Sequence, residues 1–269
     1  MTEFTTYDYV VGGDPRQQLD VFSPVPANDL RTAVLVFHGG AFRHGDRSAV
    51  HERCRALAAR GFTGIAVGYR LLDVAAWPAP LDDAKAALAW VREHADELGV
   101  EAGRIALQGH SAGAQLSLLV AGQVPAGEVG AVAAYFPPAA TAVRPSPGDM
   151  PAGMIFGPET TDELAASASP INNIGLAFPP TVLVHGASDR FIPPVAALRL
   201  FEAITAGGSI AELHLIAGGD HEFDMTPRYT ESLTAAVTEF LRAQLVEPEL
   251  VAKEVIDSNP FASMPPPGA

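Results

Sequence analysis

Short apolar runs alternate with stretches of helical spacing along most of this 269-residue chain. Six runs predict buried strands, over residues 33–37, 64–67, 104–107, 129–135, 181–184 and 212–216. Continuous apolar strands that alternate with helices are typical of a mostly parallel sheet whose two faces are both covered by helices. The pattern therefore predicts an α/β protein.

Two more extended segments precede these runs, over residues 7–11 and 18–22. The turn-forming sequence Gly12-Gly13-Asp14-Pro15 separates them, and so short a connection indicates an antiparallel pair. The chain is thus predicted to contain eight strands, with a last long helix over residues 229–244. Its length suits one large domain better than two small ones.

The C-terminal segment, residues 246–269, differs in character from the rest of the chain. Residues 247–257 are compatible with one short helix, whereas Pro265-Pro266-Pro267-Gly268 resists regular structure. We predict a domain over residues 1–245 followed by a mobile tail. A strap across the body or across a neighbouring subunit is the alternative.

The charge of the chain argues against several classes of partner. The 17 Lys and Arg residues against 31 Asp and Glu residues give a net charge of −14, and no basic stripe offsets it. Such a surface repels phosphate groups, so neither nucleic-acid binding nor docking on an anionic membrane is expected.

The only cysteine, Cys54, allows no intramolecular disulfide and is predicted to be a buried packing residue. The start of the chain does not have the basic and then apolar layout of a signal peptide, and no apolar run reaches membrane-spanning length, so a cytoplasmic location is expected.

The segment Gly109-His110-Ser111-Ala112-Gly113 matches the pattern G-x-S-x-G. A predicted strand leads into it and a helical run follows, which is the strand–turn–helix context of a nucleophile elbow. In that turn the serine hydroxyl is exposed above the sheet and the flanking glycines avoid steric clashes. Ser111 is therefore the predicted nucleophile. A purely structural turn is the alternative interpretation.

A serine hydroxyl needs a base, and the base needs an acceptor that holds its tautomer. His221 follows the eighth predicted strand and Asp189 follows the seventh, where catalytic groups of open α/β sheets collect. The order Ser111, Asp189, His221 is the chain order of α/β-hydrolase triads. Asp220 and Asp224 are competing acceptors, but their closeness to His221 in the sequence makes the required geometry awkward.

A glycine-containing loop, His38-Gly39-Gly40-Ala41-Phe42, directly follows the third predicted strand. A tetrahedral oxyanion needs preorganised N–H donors, and glycines let the backbone turn its amides inward. We predict that Gly40, Ala41 and Ala112 supply these donors, and that His38 braces the loop. A tight structural turn is the alternative.

The substrate pocket is less clearly marked in the sequence. Residues 136–174, between the sixth and seventh predicted strands, are rich in proline and apolar residues and predict an irregular wall or small lid beside the serine. A lid favours short, medium or aromatic acyl groups over long lipid chains; an ordinary packed excursion is the alternative. Phe42, His110 and Trp77 are candidate substrate-binding residues, although Phe42 and Trp77 fit a position in the core equally well.

These motifs together resemble the esterase/lipase group of α/β-hydrolases over residues 19–241. The resemblance rests on the His38–Phe42 loop, Tyr69-Arg70-Leu71, residues 78–83, the serine elbow and the loops that carry Asp189 and His221. Within the group the chain is most similar to carboxylesterases and feruloyl-esterase-like enzymes with an HGGAF loop, and more distantly to kynurenine formamidases. It departs from the hormone-sensitive-lipase type at Ala41, where that type has a third glycine, and at His110, where it has aspartate.

The resemblance implies an eight-stranded α/β-hydrolase fold and a serine carboxylesterase that works through an acyl-enzyme. It implies a small-molecule ester as the substrate and neither a metal nor an organic cofactor. Two alternatives stay open: an aryl-formamidase or amide hydrolase with the same triad, and a non-catalytic ligand-binding protein on the same fold. The oligomeric state is not specified by the sequence, and a homodimer is one of the states left open.

Overall fold

The computed structural model describes residues 4–260. Ten strands are present in this part of the chain: β1 Thr5–Asp8, β2 Gln18–Phe22, β3 Ala33–Phe37, β4 Thr63–Val67, β5 Ile105–His110, β6 Ala131–Tyr135, β7 Ala140–Ala142, β8 Asp149–Pro151, β9 Thr181–Gly186 and β10 Ala211–Ile216. Eight of them form one sheet in the order β1-β2-β4-β3-β5-β6-β9-β10, while β7 and β8 form a separate pair. β2 runs antiparallel to β1 and β4, and the other pairs of the large sheet are parallel. The predicted eight-stranded, mostly parallel sheet is confirmed.

Helices cover both faces of this sheet, as the continuous apolar strands predicted. The described residues contain α1 His51–Ala58, α2 Ala79–Glu93, α3 Ala112–Gln123, α4 Ala152–Phe156, α5 Asp162–Ser167, α6 Val195–Ala206, α7 Pro227–Leu245 and α8 Pro248–Ser258. Alternate residues of β3 enter different cores: Leu35 lies in the cluster formed with α2, α3 and α6, and Val34 lies in the cluster formed with α1 and α7. None of the helices within residues 4–260 is both long enough and apolar enough to cross a membrane.

Close packing of α1 on the sheet depends on a glycine in β4. A Cβ atom on Gly64 would lie 2.8 Å from the Cα of Cys54, so only glycine permits this approach. Cys54 is fully buried there, in agreement with its predicted packing role.

The first strand was expected over residues 7–11, but it starts two residues earlier, at Thr5, and ends three residues earlier, at Asp8. β1 ends near Asp8 because a turn follows at once: Gly13 donates its amide to the oxygen of Val10, and Gln17 donates to the oxygen of Asp14. Val11 is 95% exposed, so its side chain belongs to the turn and not to a strand. The antiparallel pairing of β1 with β2 is as predicted.

Two segments add to the eight-stranded body. Residues 136–174 leave β6 and return to β9 through β7, β8, α4 and α5, so the predicted irregular wall contains short regular elements. At the other end, α8 confirms the short helix expected over residues 247–257, and none of its residues is buried. The predicted disorder-prone stretch at residues 265–268 lies outside the described residues, and the mobility of the tail stays a prediction.

Candidate active site

Ser111 occupies a sharp turn between β5 and α3. Its φ of 53° and ψ of −115° are sparsely populated for a residue with a side chain, and such strain costs about 1–3 kcal/mol. The turn also needs its two glycines: a Cβ on Gly109 would lie 2.1 Å from the oxygen of Gly113, and a Cβ on Gly113 would lie 2.2 Å from the oxygen of Phe37. The elbow pattern thus has the steric basis that the sequence predicted.

Three predicted residues come together at the carboxyl ends of β5, β9 and β10. His221 Nε2 lies 3.1 Å from Ser111 Oγ, and His221 Nδ1 lies 2.8 Å from Asp189 Oδ2. Ser111 and Asp189 are buried, and the His221 side chain is 16% exposed. A hydroxyl, an imidazole and a carboxylate in this chain of hydrogen bonds form the arrangement that activates a serine nucleophile.

Asp189 is held in its charged form. Its Oδ1 accepts hydrogen bonds from the amides of Phe191 and Ile192 at 2.9 and 2.8 Å. Burial opposes ionisation, but the hydrogen bonds from His185, His221 and Ile192 outweigh it and hold the pKa of Asp189 well below its usual range. An ionised Asp189 accepts a hydrogen bond from the Nδ1–H group of His221, which leaves Nε2 free to accept a hydrogen bond from the serine hydroxyl.

The two competing aspartates have other partners. Asp220 accepts from the Arg190 side chain at 2.7 Å and from the backbone amide of His221 at 2.9 Å. Asp224 is buried and accepts from Arg53 at 2.5 Å. Both carboxylates therefore bind groups other than the His221 imidazole, and the imidazole itself contacts Asp189.

The loop after β3 turns sharply beside the nucleophile. Gly40, Ala41 and Phe42 have successive positive φ values of 116°, 51° and 59°. A Cβ on Gly39 would lie 3.4 Å from the Cβ of Ser111, so the loop backbone passes directly beside the serine. Within residues 4–260, no group accepts a hydrogen bond from the backbone amides of Gly40, Ala41 or Ala112.

His38 packs against this loop and holds its backbone in place through three contacts. Its Nδ1 lies 2.7 Å from the oxygen of Gly39, its ring stacks on Tyr69 at 4.3 Å, and the Tyr69 hydroxyl donates to the His38 oxygen at 2.8 Å. Burial lowers the pKa of His38 to about 4, so the ring is neutral near pH 7.

The three candidate pocket residues have different environments. Phe42 has no exposed surface and belongs to the core, which is the alternative that the sequence also allowed, and its direct contact with substrate stays a prediction. Trp77 is partly buried between Phe42 and Phe156, with ring centroids 5.5 and 5.6 Å away. His110 is buried and points away from the serine, toward Asp224.

The sequence analysis did not identify Phe191, an aromatic residue next to His221. The ring of Phe191 lies 5.0 Å from that of His221 and is 49% exposed, while Phe136 packs on His221 at 4.8 Å from the buried side. The imidazole is therefore enclosed between two aromatic rings. The only signal in the sequence is an aromatic residue two positions after Asp189, in the loop that carries this predicted acceptor.

The eight-stranded sheet, the serine elbow and the hydrogen-bonded Ser–His–Asp arrangement define an α/β-hydrolase of the esterase/lipase group. A family model agrees with this class: BD-FAE matches residues 19–204. The chain belongs to the BD-FAE family.

Curated relatives carry esterase names. Esterase LipC of Mycobacterium tuberculosis is 31% identical over 91% of this chain and 66% of its own length. Esterase LipQ of the same organism is 28% identical over 88% of this chain and 62% of its own length. Carboxylesterase NlhH, also from Mycobacterium tuberculosis, is 38% identical over 38% of this chain and 32% of its own length. The chain thus spans at most about two thirds of the length of these relatives.

Solved structures share the fold. An esterase from Thermogutta terrifontis has a TM-score of 0.74 and 22% identity, covering 92% of this chain and 95% of that one. An acetyl ester-xyloside bifunctional hydrolase from Caldicellulosiruptor lactoaceticus has a TM-score of 0.74 and 24% identity, covering 84% of this chain and 87% of that one. At this level of identity the likeness establishes the fold alone.

Proposed function

We propose that this protein is a serine carboxylesterase that hydrolyses small carboxylic esters through an acyl-enzyme. The observation that carries the proposal is the continuous hydrogen-bonded chain from Ser111 Oγ through His221 to the ionised Asp189. The esterase names of the relatives support the same reaction class.

In the proposed mechanism His221 removes the proton from Ser111 as the serine oxygen attacks the ester carbonyl. The amides of Gly40, Ala41 and Ala112 donate to the oxyanion that forms. His221 then gives its proton to the leaving alcohol, and water repeats the sequence on the acyl-enzyme. Each donor is expected to stabilise the transition state by roughly 3 kcal/mol, because its dipole is already oriented in a largely buried site.

Residues 136–174 are proposed to form the wall that limits acyl length. Two hydrogen bonds support this role: Arg43, beside the oxyanion loop, donates to the oxygen of Ile155 at 2.5 Å, and Trp77 donates to Ser167 at 2.9 Å. The Arg43 contact holds the segment against the loop that would bind the oxyanion, and the Trp77 contact holds it against the residues just before α2. We therefore propose a preference for short, medium or aromatic acyl groups. The cytoplasmic location, and the expectation that neither nucleic acid nor a membrane is a partner, stay predictions.

The decisive experiment compares the wild-type protein with Ser111→Ala on p-nitrophenyl acetate, butyrate and decanoate. We expect turnover of the shorter esters and a loss of at least about 10⁴-fold in kcat for the variant, since the nucleophile is gone. Ser232→Ala, which changes an exposed serine on α7, is the matched control and keeps full activity.

Four results would contradict the proposal or its limit on acyl length. Equal turnover by the wild-type protein and Ser111→Ala excludes the serine mechanism. No ester turnover combined with hydrolysis of an aryl formamide identifies a formamidase, and inactivity on both substrates identifies a non-catalytic binding protein. A preference for decanoate would overturn the limit on acyl length.

A further inference from the structure

The loop that carries His221 connects β10 to α7 over residues 217–226. It contains Gly218 and Gly219, and Glu222, the residue after the base, has a φ of 57° in the left-handed region. A residue with a side chain keeps this conformation only where the surrounding structure holds it. The position of the imidazole therefore depends on what anchors the loop to the body of the protein.

Two carboxylates of this loop form ion pairs with other segments. Asp220 pairs with Arg190, but their side chains are 38% and 88% exposed, so solvent weakens this contact. Asp224 pairs with Arg53 of α1, and here the side chains are only 3% and 14% exposed. Arg53 donates to Asp224 Oδ2 at 2.5 Å. Because water competes much less for a buried pair, Asp224 is the stronger of the two side-chain anchors.

The groups that hold Asp224 belong to well-packed helices. Arg53 precedes Cys54, which is fully buried where α1 packs closely on β4. From the other side, the Thr230 hydroxyl of α7 donates to the backbone oxygen of Asp224 at 2.6 Å. Asp224 is thus fixed between two helices whose apolar side chains share one core on the same face of the sheet.

Asp224 also reaches the turn that carries the nucleophile. Its Oδ2 lies 3.1 Å from Nδ1 of His110, the residue before Ser111. His110 Nε2 accepts from Gln108 at 3.3 Å, so Nδ1 carries the proton; it faces the carboxylate at an angle that gives an electrostatic contact and not a hydrogen bond. The ring is neutral near pH 7, because burial and the nearby Arg53 lower the pKa of His110 to about 4. One carboxylate therefore contacts the elbow and anchors the loop of the base.

The elbow end of this network is fixed as well. The ring of His110 stacks on that of Tyr135 with the centroids 4.5 Å apart, and the Ser111 amide donates to the Tyr135 oxygen at 2.9 Å. Ser111 is therefore held relative to Asp224, and His221 lies only three residues before Asp224 in the chain. A shift of Asp224 must move the imidazole relative to the serine.

We propose that the Arg53–Asp224 ion pair positions the base, so that His221 Nε2 stays within hydrogen-bond distance of the nucleophile. The inference rests on the proposed esterase function. Both members of the pair are positioning residues, since they act through the loop and not on the substrate. Without the pair the imidazole is expected to move, and a misplacement of about 1 Å lowers a rate by about 10²-fold. The loss falls on the steps in which His221 transfers a proton.

The first test uses two acetates that differ in their need for the proton of His221. p-Nitrophenolate departs without protonation, whereas the ethoxide of ethyl acetate must receive a proton from Nε2. In Asp224→Asn, we expect the ratio of kcat/KM for p-nitrophenyl acetate to kcat/KM for ethyl acetate to rise at least about fivefold above the wild-type ratio. A variant with fewer folded molecules loses both activities equally and keeps the ratio. An unchanged ratio would limit Asp224 to a structural role and overturn the proposal.

The second test changes the other member of the pair. Arg53→Met removes the guanidinium and is expected to raise the same ratio, while Arg53→Lys keeps a positive charge and is expected to bring the ratio most of the way back to the wild-type value. Arg53→Met leaves a buried carboxylate without a counter-charge, which destabilises the fold. The double variant with Asp224→Asn removes both charges and replaces the single variant if that does not fold. A wild-type ratio in the double variant would contradict the positioning role.

Arg60 and Glu231 provide a matched control. Their ion pair also joins the end of the α1 region to α7 and spans the same 171 positions in the chain, but the Glu231 side chain is 76% exposed. Arg60→Met is expected to keep the wild-type ratio of kcat/KM values. An equal rise in Arg60→Met would show that the packing of α1 on α7, and not the contact of Asp224, governs the ratio.

Failure of this proposal is distinguishable from failure of the esterase function. Circular dichroism and thermal melting show whether each variant has folded. A wild-type protein that hydrolyses both acetates, with an unchanged ratio in Asp224→Asn, keeps the esterase function and loses the positioning role. A wild-type protein that hydrolyses only p-nitrophenyl acetate would show that His221 does not protonate the leaving alcohol, and that result also overturns the proposal. A protein that hydrolyses neither ester loses both functions.

Discussion

Asp189 shows how much of the candidate site depends on a single buried carboxylate. It accepts hydrogen bonds from two backbone amides and from the imidazole of His221, and its side chain has no exposed surface. These contacts stabilise the charged form and fix the orientation of the base before substrate binds.

Replacement of Asp189 by asparagine is expected to lower kcat by about 10⁴-fold, because the amide NH₂ group would face His221 and favour the wrong tautomer. Steady-state kinetics on p-nitrophenyl acetate measures this effect. Asp73→Asn, at an exposed position, is the control and is expected to retain activity. A loss of less than tenfold would argue that another carboxylate orients the imidazole.

Two neutral buried histidines should make stability depend on pH. The pKa values of His38 and His110 are lowered to about 4, against about 6.5 in an unfolded chain. The unfolded state therefore binds more protons between these values, so the stability present above pH 6.5 is lost as the pH falls toward 4. Each histidine contributes a slope of up to about 1.4 kcal/mol per pH unit.

Urea unfolding of the wild-type protein and of His110→Gln between pH 4.5 and 7.5 tests this linkage. As the pH falls, we expect the free energy of unfolding to fall less steeply in the variant than in the wild-type protein. The difference in slope is at most the slope that one histidine contributes. Parallel curves for the two proteins would show that the pKa of His110 is the same in the folded and unfolded states.

At the scale of elements, the loop after β3 depends on backbone conformation more than on side chains. Gly40 combines a φ of 116° with a position where a Cβ would lie 2.1 Å from the oxygen of His44. Neither condition tolerates a side chain, so the loop must move when one is added.

Gly40→Ala is expected to reduce kcat on p-nitrophenyl acetate by about 10²-fold, since the amides of Gly40 and Ala41 would be displaced from the oxyanion. Gly12→Ala is a matched control: its φ is also positive, at 69°, but no atom lies within 4 Å of a Cβ there. That variant should lose some stability and keep its kcat. Equal kcat values for both variants would exclude this loop from oxyanion binding.

At the scale of the whole molecule, parallel strands bring distant loops to one edge of the sheet. β5, β9 and β10 lead directly into the loops that carry Ser111, Asp189 and His221. Because the carboxyl ends of parallel strands point the same way, residues far apart in sequence meet there. The same body ends with α7, whose Leu245 is buried against Gly130.

Truncation of the chain after Glu247 tests whether α8 and the tail contribute to the stability or activity of the domain over residues 1–245. None of the residues of α8 is buried, so we expect Tm to change by less than about 2 °C and activity to be retained. A chain that ends at Leu241 also loses Leu245 and is expected to melt several degrees lower. Loss of activity on ending at Glu247 would instead favour the strap alternative. Thermal melts and p-nitrophenyl acetate assays provide both measurements.

The strands were predictable from sequence because local patterns report burial. β3 matches its predicted bounds, and the apolar runs of the other parallel strands differ from the observed elements by only a few residues. β1 was placed too late because turn chemistry at Val10 and Gly13 overrides the β-propensity of the residues before it. The ends of strands and helices depend on this local competition between turn and strand conformations. The periodicity of apolar residues does not show which conformation wins.

The sequence by itself determined the α/β class, the serine elbow, the glycine loop and the loops in which a base and its acceptor would lie, because each of these is encoded within a few adjacent residues. The tertiary structure decided which aspartate faces His221, that Phe42 is buried, and that Arg53 and His110 both lie against the buried Asp224. Arg53 and Asp224 are 171 positions apart in the chain. Their contact depends on how α1 and the loop after β10 pack on the same sheet, and no local pattern carries that information.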